Sequence, residues 1–200
     1  VWGSGLISRN EVPKEQPKKI CAVRGPLSRE VLLNKGFSCP AIYGDPILLL
    51  PKFYKPEVSV RWEVGIIPHI HDEDNPLIRN YLKEHSEVTL ISMQGYDKWE
   101  DLVVKIFSCR FIVSSSLHGL IVSDAYGIPN VWVEFSNKVY GDGFKFRDYF
   151  ASVNRSVETA VELRSIDDME SVMMKKAEYE PIHIDLNPLI NSCPFNLPFK

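Results

Sequence analysis

The 200-residue sequence predicts an α/β fold in which helices cover both faces of a parallel sheet. Three observations predict it. Short apolar runs alternate along the chain with stretches of helical spacing. The apolar runs are continuous rather than alternating, as in strands buried on both sides. The helical stretches carry start and stop residues where helices need them.

The elements follow in order. "VWGSG" (1–5) reads as the end of a buried strand and a glycine-rich turn, with no initiator Met and no signal-peptide pattern. The chain therefore reads as the C-terminal portion of a longer protein. "KICAV" (19–23) is a strand. "RGPLSREVLLNKG" is a helix, with Pro26 in its first turn and Gly36 at its C-terminal cap. "PAIYGDP" is a strand closed by a tight turn at Gly44-Asp45-Pro46. From 58 to 135 the pattern reads βαβαβαβ. "VSVRWEVGIIPHI" is β-rich, and "NPLIRNYLKEH" is a helix with Asn75 as N-cap and Pro76 at N1. "EVTLISM" is a strand. "DKWEDLVVKIFSC" is an amphipathic helix with Trp99, Leu102, Val103 and Ile106 on one stripe. "RFIVSS" is a strand, "SLHGLIVSDAYG" a helix and "PNVWVEF" a strand. Beyond these, 141–153 becomes helical, and 165–180 is an amphipathic helix announced by Ser165, Asp167 and Asp168. The tail carries prolines and no clear period.

This alternation is that of a Rossmann-like sheet with right-handed crossovers. Pro51 to Pro56 is the best boundary. The expected organisation is a partial N-terminal α/β segment over 1–55, a Rossmann-like domain over 56–155, and a C-terminal helix and tail over 156–200.

Bulk composition narrows the function. Net charge is -3 and no Lys/Arg-rich block is present, which gives no support for nucleic-acid binding. No apolar run approaches the ~20 residues that span a bilayer. Cys21, Cys39, Cys109 and Cys193 are scattered without a CxxC pair, so a zinc site is not expected and the compartment reads as reducing and cytoplasmic. Cys109, between apolar residues, reads as core.

Ligands of parallel α/β sheets bind beyond the C-terminal ends of the strands, and "SSSLHG" (114–119) falls at such a place. A helix starting near Ser116 or Leu117 presents unpaired N–H groups and a positive dipole end to an anion. Ser114, Ser115 and Ser116 can cap that helix or donate to phosphate oxygens. His118, in the first turn, can act as acid, base or electrostatic partner. The same residues also fit a plain N-cap followed by a half-buried histidine. Arg24, between a strand and a helix start, can grip a carboxylate or phosphate, or pair with Glu30. Asp45 suits a turn and could orient a sugar hydroxyl. Glu134 ends a strand on the same sheet edge as His118. Lys145 and Arg147 can supply positive charge, and Asp142 and Asp148 can contact hydroxyls. Asp142 and Arg147 also fit a mixed-charge surface loop. His69 and His71 have the spacing of a metal pair, but no third ligand is evident.

Taken together and in this order, "VWGSG", "VRGPLSRE" (23–30), "YGDPILLLP" (43–51), "VGIIPHIHD" (64–72), "SSSLHGLIVSDAYGIPNVWVE" (114–134) and "GFKFRDYF" (143–150) resemble the polysaccharide pyruvyl transferase family. The resemblance covers roughly residues 1 to 153 and is strongest around Ser-Leu-His-Gly. It implies a two-domain GT-B-type fold, with this chain holding the C-terminal domain. It implies transfer of pyruvate from phosphoenolpyruvate to a sugar of an exported or cell-surface polysaccharide, forming a ketal without a cofactor. The acceptor would be a polysaccharide or lipid-linked oligosaccharide, which adds the inner membrane surface to the expected location. His118 would transfer protons, while Arg24, Ser115, Ser116, Leu117, Glu134 and Lys145 would bind substrate. The family often has an arginine before the Leu-His pair, where this sequence has Ser116. Two other readings stay open: a GT-B glycosyltransferase using a nucleotide sugar, and a non-catalytic glycan-binding relative.

Overall fold

The computed structural model describes every residue except Val12, Lys14, Val157, Glu158, Phe199 and Lys200. Helix α1 (Pro26–Asn34) opens with Pro26 in its first turn and ends just before Gly36, whose φ of +84° suits only glycine at a helix stop. "PILLLPK" forms a 3₁₀ helix, Pro46–Lys52, burying Leu48 and Leu49. Strand β1 (Trp62–Ile67) leads to α2 (Pro76–Glu84), where the Asn75 side chain accepts the Leu77 amide and Pro76 needs no partner for a missing N–H. Strand β2 (Val88–Leu90) precedes α3 (Trp99–Phe107). Val103 and Ile106 are buried as the stripe requires, but Trp99 is 46% exposed. It is the first helical residue, and it packs edge-on against Tyr54 with ring centroids 5.5 Å apart. Then come β3 (Cys109–Ser114), α4 (Leu117–Ala125), β4 (Asn130–Glu134), α5 (Phe144–Ser152) and β5 (Val161–Glu162). Helix α6 (Ile166–Met173) carries a capping box between Ser165 and Asp168, and the tail forms a short α7 (Asn187–Asn191).

The chain divides into two units. The larger, residues 53–139 and 159–181, holds one all-parallel sheet in the order β2-β1-β3-β4-β5. This is the Rossmann-like α/β architecture the alternation predicts. Alternate residues of each strand face opposite sides. Val64, Ile66, Phe111, Val113 and Val133 form one core with Ile78 and Tyr81 of α2 and Met169 and Val172 of α6. Ile67 faces the other way, toward α4, beside which α3 packs. From β1 the chain turns to one side of the sheet and from β3 to the other, so strand order reverses between them. The crevice at that reversal, at the strands' C-terminal ends, is where such sheets take their ligands.

The smaller unit comprises residues 1–52, 140–158 and 182–200. The expected strands at 19–23 and in "PAIYGDP" are reduced here to single parallel bridges, Trp2 with Ala22 and Val23 with Tyr43. Residues around α5 and α7, which the sequence groups with later parts of the chain, pack in this unit. Phe144 joins Leu6, Val23, Val31 and Leu32, and Leu189 joins Ala22 and Leu49. Their apolar side chains complete two cores that the first 52 residues leave open. The four cysteines are buried, and burial pushes the Cys109 thiol up to about 12. Among the described residues no helix is long and apolar enough to cross a membrane.

Candidate active site

The serine run at the end of β3 binds the sheet edge together. Ser114 Oγ lies 3.0 Å from Ile67 O and 2.9 Å from Ser116 O, and it accepts the Ser116 amide at 3.0 Å. The Ser115 amide donates to Ile67 O at 3.0 Å, and Ser115 Oγ accepts the His69 amide at 2.8 Å. Both side chains are fully buried, so these hydroxyls join the β3–α4 turn to the end of β1. Ser116 is the N-cap of α4, with φ -99° and ψ 126°, but its side chain makes no cap hydrogen bond. The amides of Leu117, His118 and Gly119 therefore meet no acceptor among the described residues. With the helix dipole behind them, they form an anion-favouring end at the β1/β3 crevice. The Leu117 side chain is buried, so only its amide can contribute. His118 is exposed in the first turn of the helix.

Gly119 explains why α4 comes so close to the sheet. A Cβ there would lie 2.6 Å from Ser114 Oγ and 2.9 Å from Ile67 Cγ2. Gly119→Ala is expected to push the first turn of α4 outward and to lower stability by about 1–3 kcal/mol, as overpacking does. Urea denaturation of the variant checks this.

Glu134 ends β4 two strands away from β1 in the sheet order, and its carbonyl accepts Arg164 Nη1 at 2.9 Å. His69 and His71 stand after β1 with ring centroids 5.0 Å apart. Asp72, buried, accepts Ser136 Oγ on Oδ1 at 2.5 Å, while its Oδ2 has no hydrogen-bond partner. Among the described residues no group of three His, Cys, Asp or Glu side chains could hold a metal ion.

Arg24 and Lys145 belong to the smaller unit, so Ser115, Ser116, Leu117, His118 and Glu134 form one group and these two another. Arg24 is buried. Its Nη2 lies 3.0 Å from Asp148 Oδ2 and donates to Leu6 O at 2.6 Å, and its Nε donates to Asp148 Oδ2 at 3.1 Å. Asp148 also accepts the Ser28 amide (2.8 Å) and hydroxyl (2.6 Å). Two of the three nitrogens of Arg24 are thus engaged within the protein. Lys145 is held below its usual ammonium range, first by burial and then by the charge of Arg24. An anion beside the two would relieve that repulsion.

Sequence reasoning missed the partnership of Arg24 with Asp148, because 124 residues separate them. A signal existed in "RGP": a Cβ on Gly25 would collide with the backbone of Asp148, so Gly25 marks where α5 crosses. Asp45 is the turn residue expected, its Oδ1 accepting the Ile47 amide at 3.0 Å.

The polysaccharide pyruvyl transferase family matches residues 16–137. An uncharacterized protein of Acanthamoeba polyphaga mimivirus is 37% identical over 111 residues, covering 54% of this chain and 38% of that protein. The succinoglycan biosynthesis protein ExoV of Rhizobium meliloti (strain 1021) is 29% identical over 160 residues, covering 74% of this chain and 44% of its own length. The chain thus spans less than half the length of these relatives. No solved structure matches it. The family match includes Arg24, the histidines after β1 and the whole β3–α4 turn, and the chain belongs to the polysaccharide pyruvyl transferase family.

Proposed function

We propose that the protein moves pyruvate from phosphoenolpyruvate to a sugar of a polysaccharide or lipid-linked oligosaccharide, closing a ketal on two sugar hydroxyls. One observation carries the reading: an exposed histidine stands in the same helical turn as three unpaired amides, at the reversal point of a parallel sheet. Phosphoenolpyruvate brings two anionic groups. The α4 amides suit one of them. His118 then transfers protons as the positioned general acid and base. The enol carbon takes a proton, a sugar hydroxyl adds to the neighbouring carbon and loses its own proton, and phosphate departs with its bonding electrons. A second hydroxyl closes the ring. The reading includes a GT-B-type pair of domains in the whole protein and work at the cytoplasmic face of the inner membrane.

Thermal-shift titration tests the donor. Phosphoenolpyruvate at 100 times its dissociation constant is expected to stabilise the protein by about 2.7 kcal/mol. Phosphate release on adding an acceptor glycan then tests the transfer. Stabilisation by UDP- or GDP-sugars without any by phosphoenolpyruvate would point to a nucleotide-sugar glycosyltransferase and overturn the reading.

A further inference from the structure

The smaller unit holds a groove to which the transfer chemistry assigns no task. Its volume is about 480 Å³, within the range of small-ligand sites, and Arg9, Asn10, Tyr140, Asp142, Phe144 and Arg147 are among the residues that line it. The two segments that form it are built close together. A Cβ on Gly141 would lie 2.3 Å from Ile7 O, so only glycine lets the turn come this near. Gly141, Asp142 and Gly143 all take positive φ, at 99°, 47° and 67°. A non-glycine residue in that region costs energy, and such positions gather at ligand clamps. The Phe144 amide donates to Gly141 O at 2.9 Å and Arg147 Nη2 donates to Asp142 O, which ties the turn to the start of α5. Phe144 is buried, with the Arg9 guanidinium 5.7 Å from its ring centroid. The charges of the groove cancel in place. Arg9 Nη1 lies 3.7 Å from Glu30 Oε2, and Arg147 Nη2 lies 3.9 Å from Asp142 Oδ2. The second separation is too long for a hydrogen bond, so the exposed Asp142 carboxylate keeps its lone pairs. The side chains of Asn10 and Tyr140 meet no partner among the described residues, and Tyr140 is 73% exposed.

We propose that this groove binds one neutral pyranose unit of the acceptor saccharide. A pyranose presents an apolar C–H face and adjacent hydroxyls, each of which donates and accepts. Tyr140 supplies an exposed ring with an apolar face and a polar tip. The Asp142 carboxylate accepts from two adjacent hydroxyls, and the Asn10 carboxamide both donates and accepts. Arg9 adds a planar donor. Because each arginine already stands beside a carboxylate, the groove offers hydrogen bonds without a net positive charge. That set suits hydroxyls and disfavours a phosphate or a sugar acid. The word acceptor rests on the transferase reading, whereas the sugar chemistry rests on the residues of the groove itself.

The test is an NMR titration of the whole chain, without phosphoenolpyruvate, using neutral oligosaccharides of glucose, galactose or mannose and oligogalacturonate as the acidic comparison. At least one neutral series is expected to shift the backbone amides of residues 8–10 and 140–144. Tyr140→Ala should weaken that binding about 10- to 30-fold, and Tyr140→Phe, which keeps the ring, should stay close to wild type. Asp142→Gly keeps the left-handed backbone and removes only the carboxylate, and it should weaken binding about 10-fold. Both side chains are exposed, so melting temperatures should match wild type, and Asn10→Ala gives a further reading where one of them does not. The proposal is overturned if no neutral oligosaccharide binds, if the shifts fall elsewhere, if oligogalacturonate binds in their place, or if the variants bind as wild type does. A protein that takes a neutral oligosaccharide in this groove but is not stabilised by phosphoenolpyruvate overturns the transferase reading alone. One that is stabilised by phosphoenolpyruvate but binds no oligosaccharide overturns the groove alone.

Discussion

Asp148→Ala is expected to destabilise the protein by about 3–5 kcal/mol, the largest effect of any single substitution considered for it. The side chain of Asp148 is 0% exposed and that of Arg24 is 8% exposed. Removing the carboxylate leaves the guanidinium buried without its counter-charge. It also strands the Ser28 amide and hydroxyl, which Asp148 alone satisfies as a pair of acceptors. The cost is that of an uncompensated charge, not the net worth of an ion pair. The double variant Arg24→Met with Asp148→Leu is therefore expected to regain much of the loss, because a well-packed apolar pair can match a buried ionic one. Urea denaturation of the three proteins measures this. A single variant within 1 kcal/mol of wild type, or a double variant no better than the single one, would remove the ion pair from this explanation.

His118→Ala should show the opposite profile. The side chain is exposed and pairs with no described residue, so stability is expected to stay within about 0.5 kcal/mol of wild type. Phosphate release, by contrast, is expected to fall ~10²–10⁴-fold, the usual contribution of a positioned acid or base. Stabilisation by phosphoenolpyruvate should persist, since the α4 amides remain. A variant that folds, binds and turns over at the wild-type rate would end the proton-transfer role.

The two substitutions also mark how far the sequence could be read. The sheet of the larger unit was legible because local signals and burial agree there. Pro76 and Asn75 start a helix, Ser165 and Asp168 cap another, and the continuous runs of β1, β3 and β4 could only be two-sided strands. The β3–α4 turn was legible too, because a helix start after a strand announces its own free amides. The hydroxyls were less so. The residues promised donors for a ligand, but Ser114 and Ser115 turned inward to knit β1 to β3, since buried backbone groups at the turn needed partners first. The smaller unit was hardest. Its strands shrink to single bridges, and its packing joins residues more than a hundred positions apart, for which periodicity carries no information. Asp148, read as a group for sugar hydroxyls, is a fully buried counter-ion.

The path of the chain has a consequence for its synthesis. Arg24 leaves the ribosome 124 residues before Asp148 does. At 5–20 residues per second that is a wait of roughly 6–25 s. During it the segment that will become the smaller unit holds a cation with no native partner, and its two apolar clusters lack Phe144 and Leu189. The strands β1 to β4 are by then all made, without interruption, from residues 62 to 134. Vectorial folding therefore favours the sheet with its β3–α4 turn first. The first residues of this chain finish last, as a nascent segment open to chaperones until α5 and then α7 emerge.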